Sequence, residues 1–147
     1  MRKREKKMNC EIEKEEKEND LIVKIKKITN GLYYSSETDE KILPFQGKRT
    51  EAVTAQEIIN QTKSAESTPV EERDFNDFFA PLTEMQDWFG DEEKATAEKF
   101  AELKNLLEQN LQNLKVFKLG KIQLDIYVVG LDAQSNLTGI KTKAVET

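Results

Sequence analysis

Ile122-Gln123-Leu124-Asp125-Ile126-Tyr127-Val128 alternates apolar and polar side chains. Successive side chains of a strand point to opposite faces, so this stretch reads as a strand with one face buried. Residues 130–136 read as a hairpin-like loop, and Leu137 to Val145, with Ile140 among its apolar positions, can return antiparallel. Val116-Phe117-Lys118-Leu119, ahead of Gly120, supplies a further β segment. A hairpin of this kind is not the crossover of a βαβ unit. The predicted fold class is therefore α+β: an αβα arrangement with helices on both faces of a small, mainly antiparallel sheet.

Upstream, Phe100, Leu103, Leu107, Leu111 and Leu114 recur at steps of three, four, four and three, which predicts the longest helix of the chain. Asp91 is its expected N-cap, with Glu92 and Glu93 in the first turn. Asn19-Asp20 open an earlier helix through Leu21, Ile22, Ile25 and Ile28, which Asn30-Gly31 close. Leu32-Tyr33-Tyr34 reads as a short strand or a packed extended segment, and residues 35–40 as a polar loop. Residues 42–47 read as a weak strand that Pro44 confines to an edge or a strand start. Thr54 and Glu57 have capping-box spacing ahead of Ile58 and Ile59, and residues 63–69 read as loop. Asp74 caps a short helix whose Phe75, Phe78 and Phe79 share one face, and Pro81 ends or bends it.

The chain has 147 residues, 37% hydrophobic and 35% charged. The first value is low for a globular domain and the second high, which points to a solvated tail. Residues 1–18 fit that description, with Met1, Met8, Cys10 and Ile12 as their only apolar side chains; the folded domain is expected over residues 19–147. Arg2, Lys3, Arg4, Lys6 and Lys7 read as part of the solvated tail or as an anion-binding patch. The absence of histidine removes Ser-His-Asp and Cys-His triads and most catalytic zinc sites. The single cysteine excludes an intrachain disulfide. With no apolar leader and no apolar run near the roughly 20 residues of a membrane helix, a cytoplasmic protein is expected.

The net charge of −5 is unevenly placed. Residues 1–27 carry ten bases and seven acids, whereas residues 71–93 carry nine acids and one base, Arg73. Such a body repels nucleic acid and attracts a basic partner surface; an acidic loop that only confers solubility fits the charge as well. No P-loop, GxGxxG, EF-hand loop or CxxC is present. Asp87 and Asp91 could share a loop cation, as surface acids do weakly, and Asp125 falls on the polar face of its strand. Trp88, the sole tryptophan, has two readings: a core side chain against the long helix, or an aromatic anchor for a partner.

Gln86-Asp87-Trp88-Phe89-Gly90-Asp91-Glu92-Glu93-Lys94-Ala95, Lys99-Phe100, Val116-Phe117-Lys118-Leu119-Gly120, Leu124-Asp125-Ile126-Tyr127-Val128-Val129-Gly130 and the ending from Asn136 to Thr147 resemble the nuclease A inhibitor family of cyanobacteria. Gly31-Leu32, Ser36-Glu37 and Thr54-Ala55-Gln56-Glu57-Ile58 are similar as well. The match departs at Phe89-Gly90 and across residues 41–50. The resemblance implies an αβα sandwich similar to pathogenesis-related proteins. It also implies inhibition, as a 1:1 complex, of a magnesium-dependent nuclease that cuts DNA and RNA alike, with no catalysis and no cofactor of the chain's own. By the same resemblance the partner-binding residues are Glu37, Asp87, Trp88 and Thr147, with Thr147 reaching the magnesium of the partner nuclease. Direct nucleic-acid or membrane binding is not expected. A domain that keeps this fold but binds something else is the alternative reading.

Overall fold

The computed structural model describes residues 20–146. The charged tail, Cys10 and Thr147, and with them the expectations placed on them, lie outside the described residues. Helix α1 runs over residues 20–29 and ends where Gly31 takes a left-handed conformation, φ 77°. A two-stranded hairpin follows, β1 (Tyr33–Ser35) and β2 (Asp39–Lys41). Half of the expected polar loop is therefore strand; backbone pairing sets it where Asp39-Glu40-Lys41 offers no apolar alternation. Then come β3 (Leu43–Arg49), α2 (Ala55–Thr62) and β4 (Val70–Arg73). The chain continues with α3 (Phe75–Thr83), α4 (Asp91–Asn110), β5 (Gln112–Gly120), β6 (Gln123–Leu131) and β7 (Asn136–Val145).

The five longer strands form one antiparallel sheet in the order β3-β7-β6-β5-β4. The hairpin read from residues 122–145 is its centre, in register from Gln123 opposite Val145 to Leu131 opposite Leu137. The fold class is α+β, as the sequence predicts. On one face Val116, Leu124, Ile126, Val128, Ile140 and Ala144 pack with Ile25 of α1, Phe75, Phe78 and Phe79 of α3, and Phe100, Leu103 and Leu107 of α4. On the other, Phe117, Leu119, Val129 and Leu137 pack with Val53, just ahead of α2, and Ile58 of α2. The sheet is thus covered on both faces, and Tyr127 meets Phe45 edge-on at 5.2 Å on the α2 side.

Three local expectations change. The long helix stops at Asn110, short of Leu111 and Leu114. Leu111, the C-cap, is extended, and Asn113, at φ 57°, introduces an irregularity in the β5–β6 pairing; Leu111 still packs on the first core from the residue between α4 and β5, and Leu114 from β5. The N-cap of α4 is Gly90, not Asp91, because the Glu93 carboxylate accepts from the Gly90 N–H at 3.0 Å. Pro81 sits inside α3, which continues to Thr83. The expected caps elsewhere are present: Thr54 Oγ1 accepts from Glu57 N at 3.1 Å, and Asp74 Oδ2 from Asp77 N at 3.0 Å.

Both sheet edges are guarded. Strand β4 presents Glu71, Glu72 and Arg73, all exposed. Strand β3 contains Pro44 and loses register with β7 between Gln46 and Arg49. At that break the Gln61 side chain of α2 accepts from Lys48 N at 2.7 Å and donates to Lys48 O at 3.0 Å. The amide group thus satisfies both backbone groups of the bulged residue.

Candidate functional site

The loop between α3 and α4 is held at both ends. On one side lies α3, anchored by its three phenylalanines; on the other, Asp91, Glu92 and Glu93 occupy the first turn of α4, where negative charge suits the helix dipole. Between them Phe89 N donates to Gln86 O at 3.1 Å, which closes a tight turn around Asp87 and Trp88. Trp88 is 74% exposed, and no other large apolar side chain among the described residues is as open. Its ring leans edge-on against Phe89 with centroids 4.7 Å apart. This overturns the core reading of the tryptophan. The indole stands outside the core because the face of α4 that its loop precedes is already filled by Ala97, Phe100 and Leu103.

Trp88 lies on a groove of about 560 Å³ that is also lined by Tyr33 and Ser35 of β1, Leu82 of α3, and Glu92 and Glu93 of α4. One wall of the groove is therefore the β1–β2 hairpin, whose turn carries Glu37. That turn is tightly built: Ser36 N donates to Thr38 O at 2.9 Å, and Ser35 Oγ to Asp39 Oδ1 at 2.6 Å. Glu37 is exposed, and its N–H donates to Val145 O at 3.4 Å. Asp87 is exposed beside Trp88. Of the four residues singled out from sequence, Asp87 and Trp88 share one turn. Glu37 stands two residues beyond Ser35 and is tied to the end of β7. Thr147 is outside the described residues, one position past Glu146.

Three further participants in this region are not singled out by sequence reasoning. Tyr33, 44% exposed, is a second aromatic in the Trp88 groove. Ser36 accepts from Val145 N at 3.0 Å through its hydroxyl. Lys118 is buried to 8% exposure and pairs with Glu146 at 2.9 Å. The one available hint for Lys118 was its position inside the apolar run Val116-Phe117-Lys118-Leu119.

The acidity of residues 71–93 is spread over β4, α3 and the start of α4. Glu71 pairs with Arg73 at 3.2 Å and Glu72 with Lys115 at 3.6 Å, both at the surface. Among the described residues no group of three or more His, Cys, Asp and Glu side chains gathers as a metal site, Asp87 and Asp91 included. Asp125 is exposed, as its strand position predicts. Burial, and secondarily the Asp125 charge, hold the Tyr127 phenol above its ordinary range, so it stays neutral near pH 7. Among the described residues no helix is long and apolar enough to cross a membrane.

An exposed indole beside Asp87, in a groove that Glu84, Glu92 and Glu93 also line and on a loop fixed between two helices of an α+β scaffold, is a surface suited to contact with a protein partner. The family assignment gives that reading its particular form. A model of nuclease A inhibitor-like proteins matches residues 19–147, and the chain belongs to this family. No curated protein matches the chain.

Proposed function

We propose that the protein inhibits a magnesium-dependent, sugar-non-specific nuclease by occupying its active site in a 1:1 complex. The observation that carries this reading is Trp88, 74% exposed in a groove that Glu84, Glu92 and Glu93 also line. Burying an indole against a partner is favourable, whereas leaving it in water is not. A nuclease site is basic because it must hold a phosphodiester, and its Mg²⁺ takes oxygen ligands. Glu37 and Asp87 supply carboxylates where the substrate would supply phosphates. Thr147 supplies oxygen to the partner's Mg²⁺. The inhibitor thereby imitates the charge of a nucleic acid and offers no bond to cleave. It needs no cofactor of its own, and it works in the cytoplasm.

The test is inhibition of such a nuclease by the intact protein and by a chain lacking Thr147. Loss of the residue should weaken inhibition at least tenfold, about 1.4 kcal/mol, while stability holds within about 0.5 kcal/mol. Binding measured with Mg²⁺ present and with it chelated should differ less for the shortened chain. A shortened chain that inhibits as well as the intact one would remove Thr147 from the mechanism, and an intact chain that fails to inhibit would remove the function.

A further inference from the structure

Strand β3 pairs with β7 only from Asn136 to Lys141. Beyond that point the outer edge of β7 is taken over by the hairpin. Thr142 Oγ1 donates to Lys41 O at 3.0 Å, Val145 N donates to Ser36 Oγ at 3.0 Å, and Glu37 N donates to Val145 O at 3.4 Å. The inner edge continues past the strand, where Glu146 N donates to Ile122 O at 2.9 Å. The Glu146 side chain is fixed too, because its carboxylate meets Lys118 Nζ at 2.9 Å. The two charges differ in burial: the Lys118 side chain is 10% exposed and that of Glu146 45%. A buried ammonium must be paired, so Lys118 demands a carboxylate at this place. Residue 147 follows Glu146 by one peptide, a Cα step of about 3.8 Å.

We infer that Lys118 and Ser36 are positioning residues for the recognition end of the molecule. Neither needs to touch the partner. Lys118 pins Glu146 from within the sheet, and the Ser36 hydroxyl pins Val145 from the hairpin. Val145 and Glu146, the residues that lead to position 147, are then held to the turn that carries Glu37. The inference rests on the inhibitory reading for its functional consequence and on the contacts above for its structural one.

Two measurements separate these. In the free protein, amide hydrogen exchange at Glu146 should speed up at least tenfold in Lys118→Met and stay near the wild-type rate in Lys118→Arg. Ser36→Ala, at an exposed turn that leaves the core untouched, should do the same at Val145. Unchanged protection at both amides would overturn the inference whatever the protein binds. Against a magnesium-dependent, sugar-non-specific nuclease, Lys118→Met should weaken inhibition at least tenfold in the intact chain and less than twofold in a chain lacking Thr147. Lys118→Arg should restore it to within threefold. Equal losses in both backgrounds would overturn positioning, since the lysine would then act independently of residue 147. A Thr147 deletion without effect would instead overturn the functional reading and leave the exchange result to decide the structural one.

Discussion

Replacing Trp88 by alanine separates binding from stability in one variant. A tryptophan side chain presents roughly 200 Å² of surface. With Trp88 74% exposed, about 150 Å² of that is open to a partner. At about 25 cal/mol per Å², full coverage is worth roughly 3–4 kcal/mol. Ordering costs and incomplete coverage reduce this to about 2 kcal/mol, or roughly 30-fold in Kd. Within the folded protein the indole has its edge-on contact with Phe89, worth about 0.5–1.5 kcal/mol. The variant should therefore melt no more than roughly 5 °C lower. A core tryptophan would have cost about 3–5 kcal/mol of stability. Calorimetric titration of wild type and Trp88→Ala into the nuclease, with thermal melts of both, measures the two quantities. A Kd unchanged within twofold would refute the anchor, and a melting temperature lower by 10 °C or more would refute the exposed placement.

Raising salt from about 50 to 500 mM should slow association at least tenfold and change dissociation less, because the nine acids against one base in residues 71–93 steer the encounter; a flat association rate in stopped-flow mixing would reject steering. The raised phenol of Tyr127 predicts an alkaline effect on stability. The unfolded chain ionises this group near pH 10 while the fold keeps it protonated. Its contribution is therefore complete below about pH 10 and lost as pH rises through the folded value. Melting temperatures of Tyr127→Phe should fall less steeply than wild type above that pH, and superimposable curves would contradict the account.

The central sheet was legible because Ile122 to Val128 alternate and a short loop separates them from the apolar positions of Leu137 to Val145, and α2 and α3 because Thr54 and Asp74 announce them. Strands β2 and β4 were not legible. Asp39-Glu40-Lys41 and Val70-Glu71-Glu72-Arg73 hold their places largely by backbone pairing, and Val70 is the one apolar side chain among them. Helix α4 was overrun because Leu111 and Leu114 keep a helical spacing, yet reach the same core from the helix C-cap and from the bulged strand β5. At the candidate site the chemistry of Asp87-Trp88 stood out in the sequence. Its exposure did not, since that depends on how Phe100 and its neighbours fill the core. The Lys118–Glu146 pair spans 28 positions and the Ser36–Val145 contact 109, and no local pattern records such distances.

The bond between the Gln61 amide and the Lys48 backbone has a consequence for how this protein can meet others. Many proteins recognise a partner by lending it an unpaired strand, and the same open edge is where misassembly into fibrils begins. Here β3 is interrupted by Pro44 and stoppered by a side-chain amide, and β4 repels a like-charged neighbour with Glu71 and Glu72. Backbone-to-backbone docking is thereby disfavoured at the borders of the sheet. Selectivity is left to side chains and turns, which a lineage can revise residue by residue without disturbing the sheet beneath them.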